Sequence, residues 1–192
     1  LADTSSDSLV ALAGWLVLCD ILAVDAAAHY RQLLQLGRDE FLASAAPAAL
    51  VRFRGEMEDD PQSGLHTLTI DEEIEETLPF GREMRPEAEL EVYPLTKKPG
   101  ASFPDRITIG RTANNDIVIA DSSVSRFHAY VRRDGNAWLL ADAGSKNGSW
   151  LRDEQLEARK EKPLASKAVL RIGEVELTFY VASDLYAALG GH

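Results

Sequence analysis

The spacing of apolar residues changes character along the chain. Residues 9–28, LVALAGWLVLCDILAVDAAA, are almost continuously apolar and of helix-forming type. Over 29–44, Tyr30, Leu33, Leu34, Gly37 and Phe41 recur at steps of three and four, with Arg31, Gln35 and Arg38 opposite. That spacing predicts a second helix, ended or kinked by Pro47, and with the first it would make a helical hairpin. From Ala88 the period shortens to two. Residues 89–93 and 106–109 alternate polar and apolar, and 116–119 follow Asn114-Asn115. Residues 128–132 and 137–140 flank the hairpin-type turn Asp134-Gly135-Asn136, and 169–172 form another short run. In the clearest strand, Val175, Leu177, Phe179 and Val181 share one face, and Glu174, Glu176, Thr178 and Tyr180 the other. A short helix over 183–189 closes the chain. Many short strands between turn signals predict a mainly β fold, an antiparallel sandwich behind an α-helical N-terminal segment.

Charge sharpens this division. The net charge is −11, but residues 101–181 carry 11 acids and 12 bases, whereas residues 51–100 carry 13 acids and 6 bases. The expected organisation is therefore a helical extension over 1–50, an acidic linker over 51–87, a β-sandwich over 88–182, and a short helix and tail over 183–192. No basic face is available to displace nucleic-acid counterions, so nucleic acid is not an expected partner. Asp20 and Asp25 interrupt the apolar run at 9–28, each costing about 2.5–3.5 kcal/mol near a bilayer centre, which argues against a membrane span. The run reads instead as a packed helix, or as a surface for homo- or hetero-oligomers if nothing in the chain covers it. The single cysteine, Cys19, excludes an internal disulfide and a cysteine-based zinc site, and fits a reducing, cytoplasmic setting. No metal or cofactor is expected. Within the acidic segment, Thr67 and Thr77 stand where a kinase could modify them, which would offer the neighbouring domain a ligand in cis.

Candidate chemistry concentrates between Arg106 and Leu151, where Gly110-Arg111, Ser125-Arg126-Phe127-His128 and Asn147-Gly148 occur in order with strand-like residues between. Arg111 follows a glycine that ends a strand, so its forked guanidinium stands at a loop mouth, suited to phosphate oxygens or to a surface ion pair with Asp116 or Asp121. Ser125 offers a hydroxyl and a backbone N–H, and Arg126 and Lys146 can add positive charge near the same anion. The Asn147 amide can hold its own turn or a peptide backbone. His128 reads as a buried loop brace rather than a base. A hydrolase built on Ser125, His128 and Asp142 lacks a nucleophile-elbow sequence, so an enzyme is not expected.

The three motifs in this order resemble the forkhead-associated (FHA) family, in particular bacterial members with a helical N-terminal lead. The resemblance implies an eleven-stranded sandwich over roughly 88–182 that binds phosphothreonine peptides as an adaptor in Ser/Thr kinase signalling; the alternative is a phosphate-independent scaffold or assembly subunit on the same fold, oligomerising through the apolar helix at 9–28. It implies that Arg111 and Ser125 bind phosphate, often aided by Arg126 and Lys146, and that Asn147 holds the peptide backbone. Ser123 would lie in the loop that reads the third residue after the phosphothreonine. His128 would brace the loops, which Gly110 and Gly148 shape. Two departures touch turns: 149–153 replace a second Asn-Gly turn, and 165–168 replace a Gly-Asp pair common in the family.

Overall fold

The computed structural model describes residues 23–54 and 89–191. Residues 9–22 of the expected first helix lie outside that range, as do Thr67, Thr77 and the acidic run at 71–76. Helix α1 spans Ala23–Gln35 and α2 spans Arg38–Ser44. The single helix expected over 29–44 is thus two, and the first begins earlier. Gly37 is the reason: its φ of +96° lies in the region only glycine enters readily, and it is the hinge between the helices.

The chain then enters β1, Ala48–Arg54. This corrects two expected boundaries, since 48–50 were assigned to the helical extension and 51–54 to the acidic linker. Residues 48–51 show no polar alternation because both faces of the strand are buried. Ala48 and Leu50 face one apolar cluster; Ala49 and Val51 face another.

Ten further strands follow. They are β2 (Glu89–Pro94), β3 (Ile107–Gly110), β4 (Ile117–Val118), β5 (Ala129–Asp134) and β6 (Ala137–Asp142). After them come β7 (Ser149–Leu151), β8 (Glu154–Gln155), β9 (Lys162–Leu164), β10 (Val169–Ile172) and β11 (Val175–Val181). Helix α3, Ala182–Ala188, is continuous with β11. One sheet has six strands in the order β2-β1-β11-β10-β7-β8, the other five in the order β4-β3-β5-β6-β9. Pairing is antiparallel except between β3 and β4. Strand β1 lies between β2 and β11, with Ala48 opposite Val181 and Arg54 opposite Glu89. The strands on either side of residues 55–88 are therefore next-door neighbours.

The two sheets enclose Leu50, Ile109, Leu140, Leu170, Ile172 and Phe179, and Trp138 meets Phe179 edge-on at 5.9 Å. The outer face of β1, β2 and β11 carries the three helices as a third layer. Val92, Tyr180, Tyr30, Phe41, Leu185 and Tyr186 fill that second core. Tyr180, grouped with the polar face of its strand by sequence, is only 2% exposed because the helices cover it. Phe41 sits 5.7 Å from Tyr30 and 5.2 Å from Tyr186, and the Tyr30 hydroxyl accepts the Ala46 N–H. No helix among the described residues is long and apolar enough to cross a membrane.

Two turns hold non-glycine residues in left-handed geometry. Arg152, within 149–153, has φ +55°, and Lys167, within 165–168, has φ +68°. A side chain in that region costs roughly 1–2 kcal/mol, and both turns lie away from the loops described next.

The helical layer packs on the sandwich by large aromatic side chains, so Phe41→Ala should lower stability by about 3–5 kcal/mol. Urea unfolding followed by near-ultraviolet circular dichroism measures this. An unshifted midpoint for the far-ultraviolet β-sheet signal, followed in the same titration, would show that the helices fold independently of the sandwich.

Candidate functional site

Three connections meet at one end of the sandwich: the turn 111–116 after β3, the loop 119–128 before β5, and the turn 143–148 after β6. Backbone bonds lock their relative positions. Arg111 N–H donates to the Ser125 carbonyl at 3.0 Å, His128 N–H to that of Ile109 at 2.9 Å, and Ala143 N–H to that of His128 at 2.8 Å. Between the three loops lies an open cleft of about 970 Å³.

His128 ties two of these loops together. Its ring is fully buried. The Ser125 backbone N–H donates to Nδ1 at 2.9 Å, so that nitrogen carries no proton. Nε2 is 2.9 Å from the Gly148 carbonyl, which only accepts, so the proton resides on Nε2. Burial pushes the His128 pKa below its usual 6.5, against the opposing pull of the Gly148 carbonyl and the Asp142 carboxylate. The imidazole is a neutral strut between the loops. Because both nitrogens are committed to backbone, the ring is no base for Ser125, and Asp142 Oδ2 stands 4.0 Å from Nε2. The arrangement is not that of a hydrolytic triad.

Ser125 spends its N–H on His128, so only its hydroxyl faces the cleft. The Lys146 backbone N–H donates to Ser125 Oγ at 3.0 Å, which occupies an acceptor site of the hydroxyl and leaves its proton available to donate. Arg111 Nε donates to the Val124 carbonyl at 3.1 Å, which aims the rest of the guanidinium. The alternative ion pairs do not form. Asp116 is bound to Lys97 at 2.7 Å, and Asp121 accepts the Ser123 N–H and hydroxyl. Arg126 and Lys146 are exposed at the cleft, and among the described residues neither they nor Arg111 pairs with a carboxylate. The cleft wall thus holds three cations and no acidic residue.

Asn147 and Ser123 take up roles that their types alone did not specify. Asn147 Nδ2 donates to the Ser123 carbonyl at 2.8 Å, stitching the third loop to the second. Ser123 is 8% exposed; its hydroxyl donates to Asp121 Oδ1 at 2.7 Å and accepts the Glu174 N–H at 2.9 Å. It stands in the cleft wall as a staple between the loop and the β10–β11 turn, with its hydroxyl spent internally.

Several residues position the loops in a role not assigned to them from the sequence. Asp142 is nearly buried and organises the third loop. Its Oδ1 accepts the N–H groups of Gly144 and Ser145, and its Oδ2 the hydroxyls of Ser145 and Ser149. Burial alone would raise its pKa, but these four donors outweigh burial and hold it below the usual carboxylate value. Thr112 Oγ1 and Asn115 Nδ2 both donate to the Arg126 carbonyl, at 2.9 and 2.6 Å. Gly110 is required by that same approach: a Cβ there would stand 2.3 Å from the Arg126 oxygen. Gly148 has φ +79°, and a Cβ would meet Gln155 at 2.8 Å. The spacing Arg111-x-x-x-Asn115 next to a strand end is the signal that, with hindsight, marks the first-loop brace. No group of three metal-ligating side chains occurs among the described residues.

Comparison with known proteins places these motifs. The model of the family described as FHA domain matches residues 107–173. The chain is 36% identical over 72 residues to an oxoglutarate dehydrogenase inhibitor of Corynebacterium diphtheriae, covering 38% of this chain and 48% of that protein. It is 34% identical over 70 residues to the glycogen accumulation regulator GarA of Mycolicibacterium smegmatis, covering 36% and 42%. The chain therefore spans less than half the length of these relatives. Among solved structures, it is similar to Mycobacterium tuberculosis EmbR in complex with a low-affinity phosphopeptide, with 22% identity, 81% of this chain and 30% of that chain covered, and a TM-score of 0.44.

The depressed His128 pKa sets a pH dependence. A group that is harder to protonate in the folded state stabilises the fold above its unfolded pKa, and that contribution is lost as pH falls through the folded value. The stability advantage of the native protein over His128→Gln should be largest above about pH 6.5 and shrink toward pH 5. Urea midpoints measured across pH 5–8 test this. A constant or growing difference on acidification would show that the ring is not held neutral.

Proposed function

We propose that the loop cleft binds phosphothreonine peptides and that the protein acts as a non-catalytic adaptor in Ser/Thr kinase signalling, a reading supported by the match of the FHA-domain family model to residues 107–173. One observation carries the reading. In a protein of net charge −11, Arg111, Arg126 and Lys146 line one cleft with no carboxylate among its wall residues. Unpaired cations at a rigid loop mouth favour an anion. The forked guanidinium of Arg111 and the hydroxyl of Ser125 suit the oxygens of a phosphate dianion.

The division of labour follows from the hydrogen bonds. Arg111 and Ser125 contact the phosphate directly, each already oriented by a backbone group, so little ordering is left to the moment of binding. Arg126 and Lys146 add charge from the rim, where solvent weakens each contribution. Asn147 Oδ1 and its remaining N–H face a peptide backbone, while Nδ2 keeps its bond to Ser123. Charge-assisted hydrogen bonds contribute about 1.5–3 kcal/mol each, and three or four of them, less the ordering of a peptide, give affinities of roughly micromolar. Neither nucleophile nor base is needed for this task.

Titration of an oriented phosphothreonine peptide library by fluorescence anisotropy tests the reading. Phosphothreonine peptides should bind, and their unphosphorylated forms should not. Ser125→Ala should weaken binding by roughly 10- to 100-fold, the equivalent of one charge-assisted hydrogen bond, and Arg111→Ala by at least as much. Circular dichroism confirms that the variants are folded. A folded protein that binds no phosphopeptide would overturn the proposal.

A further inference from the structure

Next to the cationic cleft lies an apolar feature that phosphate binding does not use. Phe103, from the segment between β2 and β3, and Phe127, from the Ser125–His128 motif, stack with centroids 5.9 Å apart and planes 13° from parallel. Both are exposed, Phe103 by 42% and Phe127 by 37%. Phe127 and Asn114 belong to the wall of the main cleft and also to that of a smaller cavity of about 170 Å³, which Phe103, Ser102, Thr108 and Asn115 complete. No residue of the 144–147 turn borders the smaller cavity, so it opens on the flank away from Lys146 and Asn147.

We propose that Phe103 and Phe127 form a second subsite of the cleft, which takes an apolar side chain of the bound phosphopeptide on that flank. The inference rests on the phosphopeptide reading and adds a sequence preference to it. Three observations support an apolar occupant. Two of the polar side chains around the cavity are spent inside the fold. Thr108 Oγ1 bonds Asp116, and Asn115 Nδ2 bonds the Arg126 and Thr112 carbonyls. What these leave to a ligand is the aromatic surface, beside Ser102 and Asn114. The pair is also pre-positioned: the Arg126 carbonyl beside Phe127 is pinned by Asn115 and Thr112, and His128 on its other side is buried. The Arg106 guanidinium, bound to Asp105, lies 5.6 Å from the Phe103 ring and 4.6 Å from that of Tyr130, which backs the shelf from the sheet side. Finally, the shelf is continuous with the phosphate cleft through Phe127, so a peptide anchored by its phosphate reaches the shelf without a second binding event. Leu36, Leu42, Phe53 and Val169 are also exposed, but none of them borders the cleft.

Substituted peptides with one phosphothreonine test this. Starting from a peptide with alanine at every flanking position, each position is replaced in turn by Leu, Phe or Pro, and separately by Ser or Lys, and affinities are measured by isothermal titration calorimetry. Apolar residues on one side of the phosphothreonine should strengthen binding by about three- to tenfold, the range expected for one aromatic contact, and polar residues there should not. In Phe127→Ser and, separately, Phe103→Ser, the ratio of affinities for the apolar-substituted and all-alanine peptides should fall toward one. Thermal unfolding verifies that both variants are folded. If the all-alanine phosphopeptide binds but no flanking position shows an apolar gain, or the gain persists in both variants, the subsite is overturned and the phosphate reading stands. If no phosphopeptide binds, both fall. If sedimentation shows that the shelf instead pairs two copies of the chain, with self-association lost in Phe127→Ser and no peptide preference, the subsite is likewise overturned.

Discussion

The imidazole of His128 is the joint on which the cleft depends. Three loops that leave different strands must hold their positions to within hydrogen-bond tolerance for their side chains to act on one ligand. The neutral ring does this for two of them, by accepting from the Ser125 backbone and donating to that of Gly148. A buried polar ring is costly unless both nitrogens are satisfied, and here both are, so the strut specifies one loop arrangement and penalises others. Asp142 does the equivalent within the third loop with four donors, and Asn115 does it for the first. Among the described residues Arg111, Arg126 and Lys146 have no carboxylate partner, and other residues hold the loops.

The sandwich supplies the rigidity behind this joint. Its inner core is conventional, but the outer face of β1, β2 and β11 is covered by helices and not by water. Alternate residues of the same strand serve the two cores: Leu50 inward and Val51 outward, Phe179 inward and Tyr180 outward. The helical segment before the sandwich is therefore part of one folded unit with it, packed through Tyr30 and Phe41, and stands on a different part of the molecule from the loops that form the cleft.

Much of this was legible in the residues, and the reasons for the rest are physical. The first half of β11 has one wet face and declares itself by alternation; β2 and β3 alternate too, although their polar residues Glu91 and Thr108 are buried and bonded to Tyr93 and Asp116. Strand β1 does not, because Ala48 to Val51 are buried on both sides and read as a continuation of the apolar, alanine-rich run before them. Gly37 looked like a member of a helical face; its position in a three-and-four pattern says nothing of the backbone angle it adopts. In the cleft, Arg111, Ser125, Asn147 and His128 were recognisable from the family resemblance, and the structure brings them together. Ser123 was read from the same resemblance as part of the loop that faces the third residue after the phosphothreonine; its residue type did not show that its hydroxyl is shared by Asp121 and by the Glu174 N–H, 51 residues distant. Asp142 and Asn115 bond backbone groups of loops, and the partner of such a bond leaves no periodic trace. Phe103 and Phe127 come from segments that nothing in the sequence pairs.

The pairing of Arg54 with Glu89 has a consequence for the acidic segment between them. Arg54 and Glu89 stand side by side at the ends of neighbouring strands, so the positions that flank the acidic segment belong to one sheet of one folded unit. For chain ends held this close, the entropy of closing a flexible connection grows only logarithmically with its length, at about 0.6 kcal/mol for each doubling. The pairing of β1 with β2 therefore depends weakly on the length of what joins them, while the cleft is built from loops of other strands.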